Sequence, residues 1–314
     1  MNFLSNIYGG VVGARNAFYD HELLRARRLA GAVVSVGNLS AGGSGKTPFV
    51  ILLGELLRQR GIQFDVLSRG YGRRTRGVLL VDPSGMPAQF GDEPVLIGRK
   101  LQAPVIVGED RFKAGQFAEA KFGPQLHLLD DGFQHRALAR DFDIVMVTPQ
   151  DAKGNLLPGG RLREPLASLR RADAVVLASG ASAEAFPVQG KLIWRVRRGI
   201  VPGNIPLRPV VFCGIARPEN FVLQLRAANV EPAAQAFYRD HHAYTEKDVR
   251  ELLALRARSD AGGFVTTEKD AVNLGGYLSA LDPLAVVPVK MELADAANAL
   301  DTMLRMIAER RGSA

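Results

Sequence analysis

Short apolar runs alternate with amphipathic stretches along the first two-thirds of the chain. The runs are four or five residues long and rich in β-branched residues, which favours buried strands. Between several of them, apolar residues recur at helical spacing, and two such stretches end at a glycine, which is typical of the position after a helix. The predicted strands are Ala32–Val36, Phe64–Ser68, Val78–Val81, Pro104–Val107, Leu126–Asp130, Ile144–Val147 and Ala174–Leu177.

This alternation predicts an α/β fold, with a mostly parallel sheet and helices on both of its faces. Residues 187–209 are rich in Pro, Gly and Arg and are interpreted as a hinge or linker, or as a hairpin, between domains. A smaller α/β C-terminal domain is expected over residues 210–314, with strands near 210–214, 263–266 and 285–289. The remaining divisions are an N-terminal segment, residues 1–30, and a core, residues 31–186.

The N-terminal segment has an apolar pattern of its own. Five apolar residues recur every three or four positions, and four arginines accompany them, although three glycines weaken the helix prediction. The segment is either a basic amphipathic helix on an anionic membrane surface or a helix packed against its own domain. No apolar stretch approaches 18 residues, so a membrane-spanning helix is not expected. The pattern consists of Leu4, Ile7, Val11, Ala14 and Phe18, with Arg15, Arg25, Arg27 and Arg28.

The net charge of the 314-residue chain is concentrated at its start. The chain has 40 basic and 32 acidic residues, a formal charge of +8. Residues 1–76 hold 11 basic and 4 acidic residues, so this quarter alone carries +7. Such an excess indicates contact with an anionic partner.

A glycine-rich sequence, S-A-G-G-S-G-K-T, follows the first predicted strand and precedes a predicted helix over Pro48–Arg60. Backbone N–H groups of such a loop wrap a polyphosphate, its lysine adds a cation, and its threonine can bind Mg²⁺. This predicts a P-loop NTPase-like core, although Ser40 stands where the general pattern has glycine. The predicted nucleotide-binding residues are Gly42, Gly43, Ser44, Gly45, Lys46, Thr47 and Pro48.

Two adjacent carboxylates, Asp130 and Asp131, follow the apolar residues Leu126–Leu129. The carboxyl ends of parallel strands form the ligand-binding edge of an α/β sheet. Together with Thr47, these carboxylates are therefore the predicted Mg²⁺ ligands. The residues up to this point indicate a Mg²⁺–nucleoside triphosphate and leave the acceptor open.

Seven segments together resemble one family, the tetraacyldisaccharide 4′-kinases of lipid A biosynthesis. They occur in family order over nearly the whole chain, and the family's own loop, G-G-x-G-K-T-P, accommodates Ser40. The segments are V-G-N-L-S-A-G-G-S-G-K-T-P (36–48), L-S-R-G-Y-G-R (67–73), G-D-E-P (91–94), L-D-D-G-F-Q-H (129–135), L-P-G-G-R-L-R-E-P (157–165), D-H-H-A-Y (240–244) and V-T-T-E-K-D-A-V (265–272).

The resemblance implies phosphorylation of the 4′-hydroxyl of a lipid-linked glucosamine disaccharide 1-phosphate, with ATP and Mg²⁺. It implies a peripheral protein at the cytoplasmic face of the bacterial inner membrane, in contact with an anionic surface. No nucleic acid and no obligate protein partner are expected, since residues 77–314 are nearly neutral and contain no nucleic-acid-binding motif. The alternative is a P-loop GTPase or ATPase that acts as a switch or metallochaperone.

The resemblance also implies roles for individual residues. Asp92 becomes the base that accepts the proton of the sugar hydroxyl, oriented by His241, with His242 as the uncertain neighbour. Lys46 is the catalytic lysine of the loop. Because Asp92 and His241 are far apart in sequence, we expect the two domains to close over the substrates to bring them together.

An arginine-rich stretch, Arg69–Arg76, adds four positive charges and no acid around Tyr71. These arginines either hold the phosphate already present on the substrate or form a solvated basic loop. Arg163 and Glu164 are further candidates for contacting phosphate or metal. The predicted substrate residues are Arg69, Tyr71, Arg73, Glu93, Arg163 and Glu164.

Overall fold

The computed structural model describes residues 3–312, so Met1–Asn2 and Ser313–Ala314, at the ends of the predicted segments 1–30 and 210–314, lie outside it. The described residues form nine α-helices and thirteen strands. The helices are α1 (Phe3–Asp20), α2 (Lys46–Gln59), α3 (Pro87–Phe90), α4 (Asp92–Leu101), α5 (Arg111–Phe122), α6 (Pro218–Ala227), α7 (Glu246–Arg258), α8 (Glu268–Leu274) and α9 (Ala296–Gly312). The strands are β1 (Ala32–Asn38), β2 (Phe64–Ser68), β3 (Leu79–Leu80), β4 (Val105–Val107), β5 (Leu126–Asp130), β6 (Phe142–Val147), β7 (Ala174–Leu177), β8 (Leu192–Ile200), β9 (Val210–Cys213), β10 (Ala234–Phe237), β11 (Phe264–Thr267), β12 (Leu284–Val287) and β13 (Val289–Leu293).

The large sheet has nine strands in the order β13-β8-β7-β6-β1-β5-β2-β4-β3. The seven strands from β8 to β4 are parallel, and β13 and β3 pair antiparallel at the two edges. Every residue of β1, β2, β5 and β6 is buried, as strands covered on both faces require. The prediction of a mostly parallel α/β sheet is confirmed. Its parallel strands bring their carboxyl ends to one edge, where the candidate site lies.

The small sheet has four parallel strands in the order β10-β9-β11-β12. Its core contains Phe212, Phe264, Tyr244 and Leu252. We call this sheet with α6, α7 and α8 the small unit, and the remainder the large unit. Helix α8 packs against α4, so the start of α4 lies at the junction of the two units.

The predicted linker and C-terminal domain differ from the structure. Residues 187–209 contain β8, which is a full strand of the large sheet and pairs with β7 and β13. Residues 289–312, which form β13 and α9, return to the large unit. Strand β8 was missed because one of its faces is solvated: Trp194 and Val196 are buried, whereas Arg195 and Arg197 are exposed.

Helix α1 docks on the large unit through its polar residues. Ser5 Oγ donates to the Leu156 carbonyl (3.0 Å), Tyr8 to the Arg163 carbonyl (3.1 Å), and Asn16 Nδ2 to Glu164 Oε2 (2.8 Å). All five residues of the predicted apolar stripe are exposed. The helix therefore packs against its own domain and still presents an apolar face to the surroundings. Within residues 3–312, none of the helices combines the length and apolar character that a bilayer crossing requires.

Candidate active site

The glycine-rich loop connects β1 to α2 at the carboxyl edge of the large sheet. Gly42, Gly43 and Gly45 have φ values of 73°, 61° and 87°, which only glycine adopts readily. Asn38 Nδ2 donates to the Ser40 carbonyl (2.7 Å) and to Ser44 Oγ (2.8 Å), which holds the loop in shape. The first N–H groups of α2 have no partner within the helix, which suits a polyphosphate site at this helix start.

Lys46, the first residue of α2, lies beside Asp131. Its Nζ is 3.4 Å from Asp131 Oδ1 and donates to Asn38 Oδ1 at 3.2 Å. Arg163 binds the same carboxylate with two hydrogen bonds of 2.8 and 2.9 Å and also contacts Asn38. Although burial opposes it, the hydrogen bonds from Arg163 and the charge of Lys46 hold the pKa of Asp131 well below its usual range. Arg163 is thus part of the nucleotide end of the site.

Asp130 ends β5 and is almost completely buried. Its Oδ2 accepts a hydrogen bond from Ser68 Oγ (3.1 Å), and its Oδ1 has no partner among the described residues. Burial, with the charges of Glu93 and Asp131, raises the pKa of Asp130 to about 7. A buried carboxylate oxygen without a partner among the described residues, next to a second carboxylate, fits Mg²⁺, which binds through few carboxylates and completes its shell with phosphates.

Asp92 and His241 are in direct contact. Asp92 begins α4, and His241 Nδ1 lies 2.9 Å from both of its carboxylate oxygens. Gly91 makes this position possible, because its φ of 91° and its approach to the Tyr71 carbonyl leave no room for a side chain. The structure brings the pair together with no closure needed, which differs from the expectation stated from the sequence.

Three more groups surround this pair. Asn273 Nδ2 donates to Asp92 Oδ2 (3.1 Å), and Lys269 Nζ lies 3.8 Å from the same oxygen and 3.2 Å from His241 Nε2. Burial alone would raise the pKa of Asp92, but the hydrogen bond from His241 and the charge of Lys269 lower it. Burial would lower the pKa of His241, and Asp92 raises it. The carboxylate is therefore held ionised.

The neighbouring histidine has a different environment. His242 Nε2 is 3.1 Å from Asp248 Oδ2, and its ring stacks on Tyr238. Tyr71, in contrast, lies against His241, with ring centroids 5.2 Å apart, and its ring is exposed. Of the two histidines, the structure brings only His241 to Asp92.

The other predicted substrate residues separate into groups. Arg69 is exposed, whereas Arg73 is bound to Glu109 (2.7 Å) and to the Gly77 carbonyl (2.7 Å). Glu93 lies between the two parts of the site, 3.9 Å from Lys269 and near enough to Asp130 to raise its pKa. Glu164 accepts hydrogen bonds from Asn16 of α1 and from Arg171 (2.8 Å each). It therefore anchors α1 to the large unit.

Sequence reasoning assigned no role to Arg111, His135, Lys269 or Asn273. Arg111 is buried at the start of α5, and burial and the charge of Arg69 lower its pKa to about 10. Burial and the charge of Arg111 lower the pKa of His135 to about 4. His135 and Lys269 stand inside family-like segments, a signal that could have found them, whereas Arg111 and Asn273 have none.

Comparisons with known proteins agree over nearly the whole chain. A family model described as tetraacyldisaccharide-1-P 4′-kinase matches residues 1–308. A tetraacyldisaccharide 4′-kinase from Koribacter versatilis is 51% identical, covering 99% of this chain and 100% of the relative. One from Geobacter metallireducens is 38% identical over 93% of each chain. The crystal structure of "apo" form LpxK from Aquifex aeolicus in complex with ATP matches with a TM-score of 0.79 and 32% identity, covering 97% of both chains. The chain therefore belongs to the tetraacyldisaccharide-1-P 4′-kinase family.

Proposed function

We propose that this chain transfers the γ-phosphate of ATP to the 4′-hydroxyl of a lipid-linked glucosamine disaccharide 1-phosphate, with Asp92 as the base. The observation that supports this best is the contact between His241 and Asp92, a buried, ionised carboxylate. Glu93, the next residue, connects this pair electrostatically to Asp130 at the nucleotide end of the site.

Asp92 accepts the proton as the hydroxyl oxygen forms its bond to the γ-phosphorus. The bond between that phosphorus and the β,γ-bridging oxygen breaks, and ADP leaves. His241 orients the carboxylate through Nδ1–H. Lys269 can only donate, so its contact with Nε2 requires that nitrogen to be unprotonated and keeps the ring proton on Nδ1. A positioned base of this kind contributes about 10²–10⁴-fold in rate.

The glycine-rich loop and Lys46 bind the ATP phosphates in this proposal. Thr47, Asp130 and Asp131 would hold Mg²⁺, which neutralises phosphate charge when bound. Arg163 orients Asp131 through its two hydrogen bonds. These residues fix the nucleotide and leave the acceptor side to Asp92 and the exposed loop around Tyr71.

The phosphate already carried by the substrate needs a cationic site. Arg69 is exposed beside Arg111, whose Nε has no partner among the described residues and whose positive charge burial disfavours. An anion placed between the two arginines would accept a hydrogen bond from Arg111 Nε and would stabilise its buried positive charge. Arg73 contributes indirectly, since it holds the loop through Glu109.

The exposed apolar stripe of α1 supports attachment to a membrane surface. Leu4, Ile7, Val11 and Phe18 are each about half exposed or more, and an apolar face of this kind partitions into the lipid interface. Arg25, in the segment after α1, has no ion-pair partner among the described residues and suits an anionic surface. The use of ATP supports the cytoplasmic face of the bacterial inner membrane as the location of a peripheral enzyme.

The test is Asp92→Asn, which keeps the shape of the side chain and removes the base. We expect the transfer rate to fall about 10²–10⁴-fold while ATP binding is retained. Transfer is measured from radiolabelled ATP to a purified disaccharide monophosphate, and ATP binding by calorimetry. The matched control is Asp82→Asn, at an exposed aspartate that bonds only Ser84. Wild-type transfer by Asp92→Asn would refute the base assignment.

A further inference from the structure

Three arginines that the proposed mechanism does not use surround the glycine-rich loop. Arg161 lies in the segment after β6, Arg198 on β8, and Arg217 directly before α6 in the small unit. Arg198 stands opposite Met291 in the β8–β13 pair, and the Met291 methyl approaches Gly45. Opposite residues of an antiparallel pair share a face, so Arg198 is on the loop side of the sheet.

Arg217 lies directly against the loop. A Cβ atom built on Gly43 would be 3.5 Å from both Cγ and Nε of Arg217 and 3.2 Å from Ala216 Cβ. A Cβ atom on Gly42 would be 3.4 Å from Ala216 Cβ and, on the side of the large unit, 3.1 Å from Arg161 Nη2. The two glycines are therefore covered by a chain segment that belongs to the other unit.

Among the described residues, these guanidinium groups have no carboxylate within ion-pair distance. Arg217 donates one hydrogen bond, to Gln150 Oε1 (3.1 Å), and Arg161 donates to the carbonyls of Ala41 and Gly42. Within residues 3–312, none of the three arginines forms an ion pair, whereas the neighbouring Arg197 lies 3.8 Å from Glu292. Burial and the charge of Arg161 lower the pKa of Arg217, and the charge of Asp151 opposes them only in part.

Uncompensated guanidinium groups next to a polyphosphate loop suit phosphate oxygens. The lysine of such a loop reaches the β- and γ-phosphates, and Gly42 and Gly43 precede Lys46 in the same loop. A cation against these glycines therefore lies on the loop that binds those phosphates. In other phosphoryl-transfer proteins, an arginine supplied from the same chain stabilises the transition-state charge.

We infer that Arg217 is a catalytic residue contributed by the small unit, whose guanidinium binds the β- and γ-phosphate oxygens of ATP. It stabilises the negative charge that develops as the γ-phosphate is transferred, and it fastens the small unit to the nucleotide. Arg161 supports it by holding the loop carbonyls. The inference rests on the proposed function, because it takes ATP as the bound nucleotide.

The experiment compares Arg217→Ala and Arg217→Lys with Arg197→Ala. Arg197 is a matched control because it is an exposed arginine of β8. The affinities for ATP and ADP are measured by calorimetry, and kcat by radiolabel transfer. We expect Arg217→Ala to lower kcat at least about tenfold and to weaken ATP binding more than ADP binding. Arg217→Lys should recover part of both losses, and added guanidinium should partly restore kcat of the alanine variant.

Unchanged kcat together with an unchanged ratio of ATP to ADP affinity in both Arg217 variants would overturn the inference. The melting temperature without nucleotide checks the folding of each variant, and Arg217→Lys remains informative if Arg217→Ala does not fold. Lys46→Ala separates this inference from the proposed function. If Lys46→Ala binds ATP as the wild type does, the nucleotide assignment itself fails.

Discussion

At the scale of single residues, the site depends on keeping a buried carboxylate ionised. Asp92 is only 4% exposed, and burial of an unpaired charge is unfavourable. His241, Asn273 and the Glu93 N–H each donate a hydrogen bond to it, and Lys269 adds a positive charge. The surroundings of Asp92 thus supply the ionised form that a base requires.

Lys269→Met tests this electrostatic support. Lys269 lowers the pKa of Asp92, so its removal should raise that pKa. Because the base must be deprotonated, the acid limb of the pH profile of kcat/KM should move to higher pH, and the rate should fall about tenfold or more. The profile is measured by radiolabel transfer. The control is Lys247→Met, at an exposed lysine of α7, and an unshifted acid limb in Lys269→Met would contradict the account.

A second titratable group, His127 of β5, is completely buried. His127 Nδ1 is 2.8 Å from Asp65 Oδ2, and Nε2 is 3.4 Å from Glu119. Although burial opposes it, Asp65 raises the pKa of His127 above its usual 6.5. A raised pKa means that the folded state retains its proton at a pH where the unfolded state loses it.

The stabilisation that His127 contributes to the free energy of unfolding should therefore be complete below about pH 6.5 and be lost as the pH rises through the raised pKa of His127. His127→Gln keeps a donor toward Asp65 but removes the titrating ring. We expect its urea-unfolding free energy to decrease less than that of the wild type between about pH 6 and pH 9. Equal decreases in the two proteins would show that His127 does not contribute to this pH dependence.

The pairing of Asp92 with His241 could be inferred from the family-like segments, and the structure does bring these two residues together. Lys269 and Asn273 could not be assigned roles in the same way. Asn273 is 181 positions from Asp92, and an isolated Asn or Lys has no spacing that predicts a partner. Their roles arise only when α8 packs against α4.

At the scale of elements, α1 has an unusual arrangement. Its buried residues are polar, Ser5 and Asn16, and its apolar stripe faces outward. In a helix that only supports its own domain, the apolar side would face the core. The outward stripe is consistent with a lipid interface as its environment.

Replacing Leu4, Ile7 and Val11 together by Ser should weaken binding to vesicles that contain anionic lipid. Each buried CH₂ contributes about 0.8 kcal/mol, so the loss should exceed tenfold. Co-sedimentation measures it, and transfer to a detergent-dispersed substrate should be retained because the three side chains face outward. Leu223→Ser, at an exposed leucine of α6, is the control. Undiminished vesicle binding by the triple variant would exclude this stripe as the anchor.

The buried parallel strands were predictable because they are continuous apolar runs. The bounds predicted for β2, β5 and β7 match those observed. The sequence pattern of β8 does not predict a strand, because its polar face and its arginines hide the alternation of buried and exposed residues. Strand β13 gains its place by pairing with β8, a contact between distant segments that no local pattern reveals.

At the scale of the whole molecule, the charge concentrated in residues 1–76 is partly compensated by folding. Five of its basic residues pair with acids from later in the chain: Arg27 with Asp110, Arg28 with Asp141, Lys46 with Asp131, Arg60 with Asp301 and Arg73 with Glu109. Contact with an anionic partner, which the sequence indicates for this quarter as a whole, therefore does not account for all of its basic residues. Arg69, in contrast, remains exposed and lies close enough to Arg111 to lower its pKa.

The family match spans both units, so the glycine-rich loop belongs to a kinase and the alternative of a GTPase switch or metallochaperone is wrong. The large unit supplies the loop and the carboxylates, and the small unit supplies His241, Lys269 and Asn273. Neither unit contains all of the proposed site residues. The segments that carry the family resemblance are accordingly found in both units.

The most direct test of the central claim is mass analysis of the lipid after incubation with ATP. Wild-type protein should convert the disaccharide monophosphate to a product heavier by one HPO₃ group, located at the 4′ position, with one ADP formed per product. Asp92→Asn should leave the lipid almost unchanged. A lipid of unchanged mass after incubation with the folded, ATP-binding wild type would contradict the proposed reaction, and full conversion by Asp92→Asn would contradict its mechanism.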